Sequence, residues 1–133
     1  MSTDFMSLHR PGMGNAASYQ VSGIPWVSSS LAVPVSGATT LEISFPQVTK
    51  SIIVKNVSTG SVQMRVGFSD NGVKGTNFFL LAAGESFAAD LKVTRLYLMS
   101  NNGTALTASV IAGLTNIPAN ELTTNWSGSA GVG

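Results

Sequence analysis

The chain has 133 residues, and only 10% of them are charged, against about 25% in an average soluble domain. Seven Lys or Arg and six Asp or Glu leave a formal net charge of +1, which gives no electrostatic basis for binding nucleic acid or an anionic membrane. Cysteine is absent, which excludes disulfides, thiolate metal sites and cysteine nucleophiles. The length fits one domain, and a hydrophobic content of 44% is sufficient to form its core.

The first 17 residues are predicted to form an N-terminal arm, because they show neither the period of a strand nor that of a helix. Pro11 and Gly12 interrupt this segment, and Asp4 stands where a signal peptide would need an uninterrupted apolar region, so we expect no signal peptide. The arm is nevertheless more apolar than an ordinary disordered tail. Two interpretations remain open, a frayed terminus and an ordered arm that lies against a neighbouring molecule.

From Ser18 onward the sequence consists of short apolar runs separated by turn residues. Residues 62–68 alternate strictly between apolar and polar positions, and apolar residues recur at every second position of residues 106–114. Asp70-Asn71-Gly72 is predicted to be a turn. We expect strands near residues 41–45, 52–54, 62–68, 77–81, 85–91, 94–99 and 106–114, and one or two more within 18–35.

Regularly spaced short strands without a capped helical period predict an all-β sandwich. We expect a single jelly roll of about eight antiparallel strands over residues 18–117, and an immunoglobulin-like sandwich is the alternative. Residues 118–133 lose the strand period and are rich in Ser and Gly, so they are predicted to form a non-regular C-terminal tail. No run of about 18 apolar residues exists, so we expect no membrane insertion.

The residues offer little for catalysis. The single histidine, His9, lies in the arm, and no serine is set in a Gly-x-Ser-x-Gly motif. One histidine without cysteine does not make a zinc site, and Asp70-Asn71-Gly72 lacks the remaining ligands of a calcium loop. We therefore expect no enzyme activity, no metal and no cofactor. The six carboxylates form no tuned pair; they are Asp4, Glu42, Asp70, Glu85, Asp90 and Glu121.

A charge-poor sandwich with apolar residues at both ends is typical of a subunit whose surface is covered by copies of itself or by other proteins. The basic residues are scattered, so nucleic acid is not an expected partner. We predict that the subunit contacts use apolar side chains of the arm and the tail. They are Phe5, Met6, Leu8, Met13, Trp126 and Val132.

Six segments together resemble a known family. They are residues 18–26 (SYQVSGIPW), 45–52 (FPQVTKSI), 65–72 (RVGFSDNG), 90–95 (DLKVTR), 112–118 (AGLTNIP) and 126–133 (WSGSAGVG). This pattern spans nearly the whole chain and is similar to the small single jelly-roll capsid proteins of large icosahedral DNA viruses, especially those of algae. Members of that kind form the pentons at the fivefold vertices, and other members are minor capsid proteins.

The resemblance implies a structural protein of the virion, assembled inside the host cell as a homopentamer. Its neighbours would be the major and minor capsid proteins, and the resemblance brings no ligand site or cofactor. Two alternatives remain open. One is a trimeric head-decoration or fibre protein of a virus or phage. The other is a sugar-binding jelly-roll module, which would present exposed Trp or Tyr side chains beside Asp or Asn.

Overall fold

The computed structural model describes residues 23–37 and 39–133, and these residues form eight β-strands, one short α-helix and one 3-10 helix. The helix α1 (Asp70–Lys74) lies between the fourth and fifth strands, and the 3-10 helix (Ala119–Leu122) follows the last strand. The strands are β1 (Ile24–Val33), β2 (Leu41–Ser44), β3 (Gln47–Asn56), β4 (Met64–Gly67), β5 (Phe79–Leu81), β6 (Ser86–Ala89), β7 (Arg95–Ser100) and β8 (Leu106–Pro118).

The eight strands form two antiparallel sheets of four strands each. Sheet I has the order β1-β8-β3-β6, and sheet II has the order β2-β7-β4-β5. Successive strands lie in opposite sheets at every connection except that from β4 to β5. This arrangement is the single jelly roll that the sequence predicts. The immunoglobulin-like alternative is wrong, because there the first two strands share a sheet, whereas here β1 and β2 lie in different sheets.

The core lies between the two sheets and follows the period-2 pattern of the sequence. In β8 the side chains of Leu106, Ala108, Val110, Ala112 and Leu114 are buried, and the residues between them point to the outer face of sheet I. Val66, Leu96 and Leu98 cover them from sheet II. The alternation that predicts this strand therefore also identifies which of its faces lies in the core.

The prediction of a turn at residues 70–72 is wrong, because these residues begin α1. Ser69 has an extended backbone, and its hydroxyl accepts a hydrogen bond from the Gly72 N–H at 2.9 Å, as an N-cap residue does. Asp70 in the first turn and Lys74 in the last turn suit the helix dipole. A residue triplet that favours a turn can equally begin a helix when a serine precedes it.

The predicted strand at residues 62–68 is shorter than its alternation indicates, since only Met64–Gly67 are paired as β4. Val62 packs against the core without joining the ladder, and Phe68 leads directly into the cap of α1. Residues 79–89, the segment most easily mistaken for a helix, form the separate strands β5 and β6 around Gly84. That glycine has a φ of +83°, which L side chains rarely adopt.

The outer faces of the two sheets differ. On sheet II, Tyr97 and Met99 point away from the core and are covered by Val73 of α1 and by Phe78. No described residue forms an equivalent cluster on the outer face of sheet I, where large aliphatic side chains remain exposed. Among the described residues, none covers this face of sheet I as α1 and Phe78 cover that of sheet II.

The C-terminal tail contains no strand, as its Ser and Gly content predicts, but its first part packs against the sandwich. Leu122 is buried together with Val48 of β3 and Ile117 of β8, both in sheet I. Asn125 is only 1% exposed and adopts a φ of +49°, which asparagine tolerates better than most residues. At the end of the chain, the Ser69 hydroxyl donates a hydrogen bond to the Val132 carbonyl at 2.8 Å. The tail thus closes over the cap of α1.

Candidate functional site

Within the described part of the chain, Glu42, Asp70 and Glu85 make structural contacts, and the carboxylates do not gather into one site. Asp4 lies outside that part. Glu42 lies on the outer face of sheet II and accepts a hydrogen bond from the Tyr97 hydroxyl at 2.7 Å. Burial raises the pKa of Tyr97, and the hydrogen bond to Glu42 raises it further. Among residues 23–37 and 39–133, no three His, Cys, Asp or Glu residues lie close enough to hold a metal ion. His9 lies outside these ranges.

Asp70 is a second carboxylate with side-chain partners. The Thr40 hydroxyl donates to its Oδ1 at 2.7 Å, and this hydrogen bond is the main cause that lowers the pKa of Asp70. Lys74 lies 3.1 Å from its Oδ2 and lowers the pKa of Asp70 further. Both partners favour the charged form, so Asp70 is suited to fixing the start of α1 and not to proton transfer at neutral pH.

A groove of about 390 Å³ beside α1 contains two cations, but both are already engaged. The Arg65 guanidinium donates to Asn101 at 2.9 Å and to the Val73 carbonyl at 3.2 Å, and it stacks 4.4 Å from the Phe78 ring centroid. Lys74 forms the ion pair with Asp70 described above. These contacts hold α1 on sheet II, and they give no reason to assign the groove to an anionic ligand.

A second groove, of about 310 Å³, lies where the chain leaves β4 and enters β7, and we call it the Trp126 groove. The Trp126 side chain is 40% exposed, and its indole N–H donates to the Lys92 carbonyl at 2.5 Å. The lining of the Trp126 groove is mainly apolar and consists of Phe68, Leu91, Lys92, Val93, Trp126, Ala130, Gly131 and Val132. The structure thus brings together Trp126 and Val132, both of which the sequence singles out as contact residues.

The other four predicted contact residues, Phe5, Met6, Leu8 and Met13, lie outside the described residues. Their role, and that of Trp126 and Val132 as subunit contacts, stays a prediction.

The outer face of sheet I carries a feature that the sequence prediction missed. Val27 in β1 pairs with Ile111 in β8, and Ile111 pairs with Ile53 in β3, so the three side chains stand side by side. They are 63%, 48% and 42% exposed, respectively. Ala88 in β6 pairs with Ile53 and extends the line to the fourth strand. We call these four residues the aliphatic row.

The surroundings of the aliphatic row are almost uncharged. The row borders a groove of about 380 Å³ whose other lining side chains include three serines and a single charged residue, Lys55. An exposed apolar patch with so little charge around it is typical of a surface that another molecule covers. The signal in the sequence is Ile111, a large aliphatic residue at an outward position of β8 where Thr107 and Ser109 precede it.

The described residues contain no helix that combines the length and apolar character needed to cross a membrane.

No family model matches the chain, and no curated protein matches it. Among solved structures, the chain is similar to hydroxypropylphosphonic acid epoxidase from S. wedmorenis in complex with fosfomycin. The TM-score is 0.43 at 15% identity over 70% of this chain and 44% of that chain. A structure of Fe(II)-HppE with the alternative substrate (S)-1-HPP gives 0.43 at 14% identity over 70% and 43%.

PirA gives a TM-score of 0.34 at 15% identity over 74% of this chain and 99% of that chain. The chain spans less than half of the length of the two epoxidase chains. At these TM-scores the matches carry no argument about what this chain binds or does.

Proposed function

We propose that this chain is a structural capsid protein that forms a homopentamer at the fivefold vertices of a large icosahedral DNA virus. In this role it has no catalytic activity and no cofactor, and its partners are copies of itself and the surrounding capsid proteins. It would be a component of the virion. The work of such a subunit is mechanical, since it fills a position in a shell through the shape and apolar character of its surfaces.

The observation that carries the proposal is the aliphatic row on the outer face of sheet I, which no other described residue covers. An isolated soluble protein gains nothing from placing Val27, Ile111 and Ile53 side by side in water, whereas a shell subunit can bury them. The resemblance of six sequence segments to single jelly-roll capsid proteins supports the same role. The low charge of the chain agrees with it, because few ionic groups would have to be desolvated at subunit contacts.

A sugar-binding module receives less support from the described side chains. Trp26 packs edge-to-face on Phe45 with ring centroids 4.9 Å apart, and Tyr97 is 8% exposed and bonded to Glu42. Trp126 is partly exposed, but its N–H is already used by the backbone of Lys92. The described residues therefore offer no exposed aromatic platform flanked by a free carboxylate of the kind that sugar binding uses.

The test is the native mass of the purified chain, followed by its position in assembled particles. A penton predicts an assembly of five chains of 13.7 kDa each, and a trimeric decoration or fibre protein predicts an assembly of three such chains. Density for this chain at the fivefold vertices would support the proposal. A trimer, or density at any other position of the shell, would contradict it.

Deletion of residues 1–15 separates folding from assembly. The described strands of the jelly roll lie within residues 24–118, so we expect the truncated chain to keep its far-ultraviolet circular dichroism and its thermal transition. We also expect it to enter particles less efficiently than the full chain, because the apolar arm is predicted to contact neighbours. A truncated chain that enters particles as well as the full chain would refute the role of the arm.

A further inference from the structure

We infer that Asn102 is a site of spontaneous chemical modification, at which the side-chain amide is lost as ammonia and a carboxylate is formed. The chain contains two Asn-Gly pairs, Asn71-Gly72 and Asn102-Gly103. Such a pair favours loss of the amide, because glycine has no Cβ to shield its backbone nitrogen from the preceding side chain. The structure places the two pairs in opposite environments, and only Asn102 lies in one that permits the reaction. The modification is independent of the proposed function.

The reaction needs only the chain and water. The Gly103 nitrogen gives up its proton to solvent base and attacks Cγ of Asn102, so that a bond forms between these atoms. The Cγ–Nδ2 bond then breaks, and the leaving nitrogen takes up a proton and departs as ammonia. Water next opens the resulting cyclic imide at either of its carbonyl C–N bonds. Opening at Cγ gives aspartate, and opening at the backbone carbonyl gives isoaspartate, in which the main chain runs through the side-chain carbon.

The backbone nitrogen that attacks is accessible. Asn102 lies in the turn between β7 and β8 and is exposed, as are Gly103 and Thr104. The Gly103 N–H donates no hydrogen bond to any described residue, so no acceptor has to be given up before the nitrogen can attack. A Cβ built on Gly103 would meet no atom within 4 Å. Solvent base can therefore reach this N–H, and the imide can form without moving a neighbour.

A hydrogen bond within the turn prepares the Asn102 side chain for the attack. Its Oδ1 accepts from the Thr104 N–H at 2.8 Å. The Gly103 nitrogen belongs to the ring of atoms that this hydrogen bond closes, so the amide is kept beside the nitrogen that attacks it. The Thr104 N–H also stabilises Oδ1 as this oxygen becomes negative in the transition state. The turn therefore supplies both the position of the amide and a donor for the developing charge.

The pair Asn71-Gly72 is protected by α1. Gly72 is buried, and its N–H donates to the Ser69 hydroxyl at 2.9 Å. The Val132 carbonyl oxygen fills the space where a Cβ of residue 72 would stand. The Asn71 carbonyl accepts from the Gly75 N–H at 2.9 Å, which holds the backbone of Asn71 in the helix. Local opening of α1 must therefore precede any reaction at Asn71.

The reaction changes both the charge of the chain and the shape of the turn. Either product adds a carboxylate, so the formal net charge falls from +1 to zero. A chain without net charge loses a repulsion that keeps copies apart in solution. Isoaspartate also adds a carbon to the main chain at Asn102, whose carbonyl accepts from the Ser36 N–H at 2.8 Å. The modification therefore alters the contact between this turn and the connection from β1 to β2.

Incubation of the full chain at mildly alkaline pH, followed by peptide mapping with mass spectrometry, tests the assignment. We expect the peptide that contains Asn102 to gain the mass difference between an amide and an acid, and to be labelled by an isoaspartyl methyltransferase. The rate at Asn102 should exceed the rate at Asn71 by about tenfold or more, because α1 has to open before Asn71 reacts. Equal rates at the two sites would overturn the assignment. So would an Asn102 that stays intact while an unfolded peptide of the same sequence is converted.

Two variants test the geometry at each pair. Gly103→Ala places a methyl group beside the attacking nitrogen in open space, so it should slow the reaction at Asn102 severalfold without shifting the thermal transition. Ser69→Ala removes the acceptor of the Gly72 N–H, so it should raise the rate at Asn71 and leave the rate at Asn102 unchanged. An undiminished rate at Asn102 in Gly103→Ala would contradict attack by this nitrogen. An unchanged rate at Asn71 in Ser69→Ala would contradict the protection by α1.

Discussion

Replacing Asn125 by alanine should strongly destabilise the fold, although the residue lies in a tail without strands. Its Oδ1 accepts hydrogen bonds from the backbone N–H groups of Thr94 at 2.7 Å and Arg95 at 3.1 Å. Its Nδ2 donates to the carbonyls of Phe68 at 2.7 Å and Arg95 at 3.0 Å. One side chain therefore satisfies four backbone groups at the start of β7 and the end of β4.

The magnitude follows from those four groups. An unsatisfied buried polar group costs about 1–3 kcal/mol, and water can reach some of the groups once the side chain is removed. Alanine also tolerates the positive φ of this position less well than asparagine, by roughly 1 kcal/mol. We expect Asn125→Ala to lower the free energy of unfolding by about 3–5 kcal/mol, a large part of the ~5–15 kcal/mol typical of a domain.

Urea denaturation followed by tryptophan fluorescence measures the effect. With a slope of about 2 kcal/mol per molar urea, the midpoint should fall by roughly 2 M. The control is Asn116→Ala on an exposed position of β8, which should change the free energy of unfolding by less than about 0.5 kcal/mol. If the midpoints of Asn125→Ala and Asn116→Ala agree, the reasoning is refuted.

Asn125→Asp sharpens the test, because it keeps the acceptor and removes the donor. At neutral pH a carboxylate oxygen would face the carbonyls of Phe68 and Arg95, which is repulsive. At pH 4 or below, a protonated carboxyl group can donate to one of them again. The deficit in unfolding free energy relative to the unmodified chain should therefore shrink as the pH falls. A deficit that does not depend on pH would contradict this explanation.

Two further predictions concern α1 and sheet II. A Cβ at Gly72 would lie 2.1 Å from the Val132 carbonyl oxygen, so Gly72→Ala should displace the end of the tail and speed its digestion by carboxypeptidase. Gly103→Ala is the control and should not change the digestion rate, because the space around Gly103 is open. Equal digestion rates for the two variants would refute the clash. Burial and Glu42 raise the pKa of Tyr97 in the folded chain, so the unfolded chain ionises first and stability is lost as the pH rises above about 10. Tyr97→Phe should weaken that alkaline loss in urea titrations, and an unchanged pH dependence would rule out Tyr97 as its source.

The fold could be predicted from the sequence because each strand's own residues alternate between buried apolar and outward-facing positions. The alternation through residues 106–114 identifies both β8 and its buried face, and the spacing of the turns gives the number of strands. The strand limits are less accurate, since β3 extends from Gln47 to Asn56 whereas the sequence indicates a strand only near residues 52–54. Pairing with β8 on one side and β6 on the other extends β3 beyond its apolar centre.

The candidate surfaces could not be predicted in the same way, because they depend on contacts between distant segments. Val27, Ile53 and Ile111 come together only through the register of β1 and β3 on β8. The Trp126 groove requires the tail to return to the start of β7, and that return depends on Asn125, whose partners lie 30 to 57 residues away in sequence. No local sequence pattern predicts contacts between residues so far apart in the sequence.

The distribution of charge, and not its total, distinguishes the two sides of the sandwich. The short strands of sheet II carry three charged residues, Glu42, Arg65 and Arg95. The much longer strands of sheet I carry two, Lys50 and Lys55, both in β3. If low charge were only a general property of the composition, the two sheets would be depleted equally. Depletion is instead strongest on the sheet whose outer face also carries the aliphatic row, so the two features together make the outer face of sheet I the first place to look for a partner.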